Sequence, residues 1–266
     1  EQNAWFDGPP LPQLAIAGCQ QYKIRQQVGS FLYVLDRSRG EVVVLNSNRM
    51  TVIDRIIVPD PTELAIGPNL DLLAVSNQQV DLVTFIDIDP ASASFHTIAK
   101  QVVVGDRPRG IAWEPGNEDI LVCNEGDNSM SIISAFSLLE RKRVDSNLSE
   151  PFAIAVTPRQ GTFGFFRNVY FAYIMNRNGR VAIFESGPNE VNGWGYDDVI
   201  GTAPQLFQNP KTIQPDPLYL GSGVWVCHEG PINIQDQTEG SPGTPAVSNL
   251  VVNTAIMGPL PLNVQS

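Results

Sequence analysis

Five polar residues recur at matched places along the chain: Asp36, Asn77, Asn124, Asn176 and His228. Each ends a short apolar run and opens a polar turn. Brought onto one ring, they would offer hydrogen-bond donors and acceptors to a ligand or a metal ion. A local role competes with that one and is the plainer expectation. Asn and Asp side chains cap turns by bonding to nearby backbone N–H groups.

His228-Glu229 is the one place where an imidazole stands beside a carboxylate in such a turn. Histidine titrates near neutral pH and a carboxylate could orient its ring, which is the arrangement of a general acid/base pair. The parallel turn carries Asn124-Glu125, so the shared role is structural and the histidine reads as a substitution. Arg107 and Arg109 flank Pro108 beside Asp106, and guanidinium groups there could hold a carboxylate or phosphate. An ion pair with Asp106 or Glu114 is the simpler expectation. Trp5, Trp194 and Tyr196 stand in loop-like segments and are candidate interface contacts. Trp113 and Trp225 lie in apolar runs and read as core, and His96 reads as a surface residue.

Other chemistry finds no support. There is no G-x-S-x-G elbow, P-loop or G-x-G-x-x-G. With two histidines and no C-x-x-C, neither a zinc pattern nor a haem attachment pattern is present, and no cofactor is expected. Three cysteines (Cys19, Cys123, Cys227) cannot all pair within the chain, and Cys123 and Cys227 read as small buried thiols.

The elements that must carry these residues emerge from a repeat. Pro61-Thr-Glu-Leu-Ala-Ile-Gly-Pro68, Pro108-Arg-Gly-Ile-Ala-Trp-Glu-Pro115 and Pro151-Phe-Ala-Ile-Ala-Val-Thr-Pro158 align without gaps. Each is an apolar strand between two prolines, and proline suits strand boundaries because it lacks the N–H of a ladder. Pro12–Gly18 and Pro210–Pro215 are weaker copies. The leading prolines 12, 61, 108, 151 and 210 lie 49, 47, 43 and 59 residues apart. Further apolar runs follow each one, at 31–35, 72–75, 120–123, 169–173 and 224–227, then at 41–45, 82–86, 130–133 and 180–184, then at 52–58 and 96–104. Asn178-Gly179 is the strongest hairpin signal, since both residues tolerate the positive φ of a type I′ turn. Four short strands per repeat with tight turns predict an all-β fold, a β-propeller of four-stranded antiparallel blades.

The stretch Gly105–Ser134, with Gly105-Asp-Arg-Pro-Arg-Gly-Ile-Ala and Ile120-Leu-Val-Cys-Asn124, resembles the YVTN family of β-propeller repeats. The resemblance is good over 61–158, fair over 12–60 and decays after 185. It implies the blade fold shared by surface-layer proteins, lactonase-like propellers and periplasmic binding or assembly factors. Residues 185–209 are expected to form an inserted loop, and 235–266 an irregular segment with one apolar run at Leu250-Val-Val252. Five blade-like units are fewer than most closed rings hold, which points to hidden units at the ends or to a piece of a longer protein.

A net charge of -11 disfavours nucleic acid and anionic lipid as partners. No run of apolar residues is long enough to span a bilayer as a helix, so direct membrane insertion is not expected. Glu140-Arg-Lys-Arg143, the most basic stretch, reads as a solvated edge strand. The chain opens on Glu1, which fits either export with leader cleavage or a trimmed sequence, and the expected location is the periplasm, the cell surface or outside the cell. The leading expectation is a non-catalytic scaffold that binds other protein subunits in a larger assembly. The alternatives are a lactonase-like hydrolase, or a propeller that binds a small molecule or metal in its central channel.

Overall fold

The computed structural model describes residues 31–158, 160–161, 168–187, 197–215, 223–230, 232–234, 237–239, 245–252 and 264–265. The described residues form a five-bladed, all-β propeller whose blades follow one another in sequence. Blade I holds β1 (Phe31–Asp36), β2 (Glu41–Asn46) and β3 (Thr51–Ile57). The copy expected at 12–18 lies outside the described residues. Blade II is β4 (Pro61–Ile66), β5 (Leu72–Asn77), β6 (Leu82–Asp87) and β7 (Ile98–Val103). Blade III is β8 (Pro108–Trp113), β9 (Asp119–Asn124), β10 (Ser129–Ser134) and β11 (Leu139–Val144).

Blade IV begins with β12 (Pro151–Val156), followed by a side hairpin of β13 (Gln160–Gly161) and β14 (Asn168–Val169). It continues with β15 (Phe171–Asn176), β16 (Val181–Glu185) and β17 (Asp198–Thr202). After β18 (Leu206–Phe207), blade V opens with β19 (Thr212–Pro215) and β20 (Gly223–Glu229). Then β21 (Ile232–Ile234) and β22 (Gln237–Glu239) form a small sheet with β18. The blade ends with β23 (Pro245–Val252) and β24 (Val264–Gln265).

The proline-bracketed segments are the innermost strands. Ladders shift register between Pro61 and Leu64, Pro108 and Ile111, and Pro151 and Ala153, at the point where the leading proline has no N–H to give. A second bulge recurs between the third and fourth strands, at Val44/Leu45, Phe85/Ile86, Ile132/Ile133 and Ile183/Phe184. Such bulges add twist, and a radial array of sheets needs twisted sheets.

The core lies between blades. Leu35, Val42 and Val44 of blade I meet Leu73, Val75 and Ile86 of blade II. Ala74 and Phe85 meet Ile111, Trp113 and Val122 across the next interface. Leu121, Met130 and Ile132 then meet Ile154, Ala172 and Phe184. Tyr173, Met175 and Ile183 meet Ile213, Val224 and Val226. Gly110 is required here, because a Cβ on it would come within 2.8 Å of the Ala153 Cα.

Four local expectations change. Residues 198–202, expected inside an inserted loop, are the fourth strand of blade IV. At the 176–180 turn only Gly179 takes positive φ, and its N–H donates to the Asn176 carbonyl, so the turn is not type I′. Trp225 is exposed rather than core. His96 is buried rather than on the surface. It sits at φ +62° ahead of β7, which turns its ring inward onto Phe95, with ring centroids 3.6 Å apart. Glu140–Arg143 does lie on the outermost strand of its sheet.

Candidate functional site at the propeller axis

Innermost strands of four blades surround a cavity of about 280 Å³. Its wall is Glu63–Ala65 of β4, Ile111–Trp113 of β8, Ala153–Val156 of β12 and Thr212–Pro215 of β19. Counted from the leading proline, Glu63 stands level with Gly110, Ala153 and Thr212. Three small residues and one carboxylate thus share a level of the bore. One step further in, Ala65, Ala112, Ala155 and Gln214 repeat the pattern, and this smallness leaves the space open.

Glu63 is held at the seam of blades II and III. Its carboxylate accepts the Ile111 backbone N–H. Its own N–H donates to Ser76 Oγ (3.1 Å), which donates to the Arg109 carbonyl (2.6 Å). Burial pushes the Glu63 carboxyl up to about 7, against the opposing pull of Arg109, the Ile111 N–H and Arg37. Trp113, 8% exposed, lines the same cavity, and its indole N–H has no protein partner.

Charged residues gather at the mouth, where second strands end beside the starts of innermost strands. Glu125 lies 2.5 Å from Arg177 Nε and 3.7 Å from Arg109 Nη1, and it accepts from Gln78 Nε2 at 3.3 Å. Both guanidinium groups lie over the Phe152 ring, Arg177 at 4.0 Å and Arg109 at 5.8 Å from its centroid. Glu125 therefore ties blades II, III and IV together. On blade V, Glu229 stands 3.3 Å from Lys211 Nζ and accepts from Asn209.

Of the five residues singled out by the repeat, Asp36 caps its own turn, while the other four bond mainly to carbonyls, hydroxyls and more distant backbone. Asp36 Oδ1 accepts from Ser38 and Arg39 N–H groups, which holds its carboxyl below the usual range together with the Ser38 hydroxyl. Asn77 donates to the Pro59 carbonyl and accepts from Thr84 Oγ1. Asn124 donates to Ser129 and Ser131 hydroxyls. Asn176 accepts the Ser149 N–H and donates to the Arg180 carbonyl. His228 places Nδ1 3.1 Å from the Gly230 carbonyl and Nε2 3.0 Å from Ser248 Oγ. Burial holds its ring below the ordinary histidine range. Asp36, Asn77, Asn124, Asn176 and His228 are not bonded to one another in these contacts. Successive strand residues point to opposite faces, so Glu229 turns to Lys211 while His228 turns inward.

Arg107 is exposed and 4.0 Å from Asp106, while Arg109 reaches the mouth. Trp5, Trp194 and Tyr196 lie outside the described residues, as does Cys19. Cys123 and Cys227 are free thiols, and burial pushes the Cys123 thiol well up. Among the described residues no group of three or more His, Cys, Asp or Glu side chains is placed to hold a metal ion, and no helix is long and apolar enough to cross a membrane.

No family model matches the sequence, and no curated protein gives a significant match. Solved structures do share the fold. The chain is similar to Kuenenia stuttgartiensis hydrazine synthase, with TM-score 0.61 and 16% identity over 84% of this chain and 59% of that one. A chain of the mitotic checkpoint complex gives TM-score 0.55 and 14% identity over 82% of this chain and 60% of that one. Dihydro-heme d1 dehydrogenase NirN in complex with DHE gives 0.51 and 12% over 79% and 43%. The chain thus spans about three fifths of the first two. Identities this low establish a shared propeller and nothing finer, and no match singles out the YVTN repeat.

Proposed function

We propose that this chain is a non-catalytic propeller module that holds other protein subunits in an extracytoplasmic assembly. One observation carries the reading: among the described residues, the outward faces of the two terminal blades are apolar and uncovered. Register places Leu32, Leu45 and Val52 side by side on blade I, with Val34 beside Val43. Leu32 is 42% exposed and Val34 39%. On blade V, Trp225 (41%) and Val247 (60%) share the face of Cys227, away from the blade IV interface. Contiguous exposed apolar surface marks interaction sites. These faces are built like those that pack between blades inside the ring, so the fitting partner surface is an apolar β-sheet of another subunit. The occurrence of a similar propeller in the mitotic checkpoint complex accords with such a role.

The test is recovery of the tagged protein from its native host, unmodified and as Val34→Asp/Trp225→Asp. The unmodified chain is expected to bring down a stoichiometric protein partner that the double variant loses while melting at nearly the same temperature. A monomeric, partner-free unmodified chain would refute the proposal, as would a partner retained by the variant.

A further inference from the structure

The axial cavity has properties that subunit binding does not use. Among the side chains lining it, Glu63 alone is ionisable, and it has no ion-pair partner within 4 Å among the described residues. Arg109, whose charge opposes the rise at Glu63, is placed toward Glu125 at the mouth, and Glu125 is shared with Arg177. Thr212 and Gln214 supply polar side chains on the opposite wall, and Trp113 lines the cavity while its ring packs on Phe85 in the seam of blades II and III. The accessible wall is mainly polar, and an enclosed space holding one perturbed acid is a candidate small-molecule site.

The charge balance selects the ligand. A half-buried carboxylate with no ion pair of its own among the described residues gains from a cation brought to it, since a paired charge is far less costly to bury than a lone one. The overall charge of -11 draws cations toward the molecule. An anionic ligand would meet Glu63 inside the cavity and Glu125 at its mouth. We propose that the axial cavity binds a small organic ammonium compound, its charged nitrogen on the Glu63 carboxylate and its remaining polar atoms toward Thr212 and Gln214. The site is distinct from the end faces of blades I and V, so loss of one function leaves the other intact.

Glu63 must be ionised to bind a cation. Its carboxyl, pushed up to about 7, faces Arg37 from the turn after β1, Arg109 from β8, and Cys123 and Glu125 from β9 and its turn. Binding therefore strengthens as pH rises through 7, by about tenfold between pH 6 and pH 8, for a ligand that stays protonated throughout.

Titration calorimetry with 1,4-diaminobutane as the probe tests this, with 1,4-butanediol and succinate as neutral and anionic controls. The expected result is one-to-one binding of the diamine alone, the tenfold pH dependence, and a loss of at least tenfold at pH 8 in Glu63→Gln. The diamine should also change the tryptophan fluorescence of the unmodified protein and leave that of Trp113→Phe unchanged. Absence of diamine binding at millimolar concentration would overturn the proposal. So would binding that Glu63→Gln retains, or preferential uptake of succinate, which would place the ligand on the arginines at the mouth. Thermal melts confirm that Glu63→Gln is folded. Should it not fold, the pH series on the unmodified chain decides alone, and a flat series sinks the idea.

Discussion

Among the described residues, blade IV has a neighbour on each face, whereas blade I has one. Every residue of β12, β15 and β16 is buried, while β1 alternates between half-buried and exposed positions and β3 is largely exposed. Yet the two blades are written alike. Phe31-Leu-Tyr-Val-Leu35 is as continuously apolar as Phe171-Ala-Tyr-Ile-Met175, and strands that read this way are normally buried on both faces. Val224-Trp-Val-Cys227 of blade V follows the same rule. The difference lies in what covers the strand and not in its composition, so the end blades carry sequences suited to neighbours they lack among the described residues.

The sharpest break of this comparison uses one residue type in two places. Leu121, fully buried between blades III and IV, should lose about 2–5 kcal/mol on replacement by alanine, through lost burial and the cavity left behind. Leu32→Ala, on the open face of blade I, should cost about 1 kcal/mol or less. Urea unfolding of both variants gives the two values directly. Equal losses would mean that the blade I face is covered in solution.

A smaller effect is expected where blades III and IV are joined by charge. Arg141 Nε donates to Asp119 (2.8 Å), Nη1 to Asp197 (2.5 Å), and the Tyr170 hydroxyl donates to Asp119 (2.7 Å). Both carboxylates are nearly inaccessible, but the guanidinium is about one third exposed. Arg141→Met strands two buried carboxylates, and with partial screening the expected loss is about 2 kcal/mol at pH 7. The loss should shrink in Asp119→Asn/Arg141→Met, where one stranded charge is gone. A loss that the second substitution does not relieve would assign it to packing.

Much of the fold was legible because proline and apolar runs report backbone needs directly. The innermost strands, the second and third strands and the basic outer edge of blade III stand where the repeat puts them. The fourth strand of blade IV was hidden because Asp198-Val-Ile-Gly-Thr202 has only two large apolar residues. The site was harder to read for a reason rooted in strand geometry. The repeat marks Asn77, Asn124 and Asn176 by a shared residue type, and each is held by bonds within its own surroundings, to Pro59 and Thr84, to Ser129 and Ser131, and to Ser149 and Arg180. The side chains that meet at the mouth are the next ones along, Gln78, Glu125 and Arg177, which differ in type and so form no motif. Glu63 was masked in the same way, since its counterparts are Gly110, Ala153 and Thr212. Period-2 alternation from the shared asparagines would have pointed to the mouth residues.

The smallest expected effect concerns the interface next to the open face. His96 Nδ1 lies 3.2 Å from Asp54 and Nε2 3.2 Å from the Tyr33 hydroxyl, with Phe31 and Phe95 against the ring. Burial lowers its proton affinity, and this outweighs the opposing influence of Asp54 and Asp87. A histidine whose folded-state value is depressed binds its proton more readily in the unfolded chain. Stability is therefore full above the ordinary histidine value and falls as pH drops through it toward the depressed folded-state value. His228, also depressed, adds to the same slope from the blade V side. Glu63, raised to about 7, works the other way and stabilises the fold as pH falls over the same range, so the histidine effect is read as a difference: from pH 7.5 to 5 the unmodified chain should lose stability relative to His96→Asn, and asparagine tolerates the positive φ at this position. Hydrogen exchange localises the effect: acid should loosen β1 amides before those of β15, because blade I has one packed face to lose. Simultaneous loosening of β1 and β15 would show that the ring opens as one unit and that the uncovered face confers no weakness of its own.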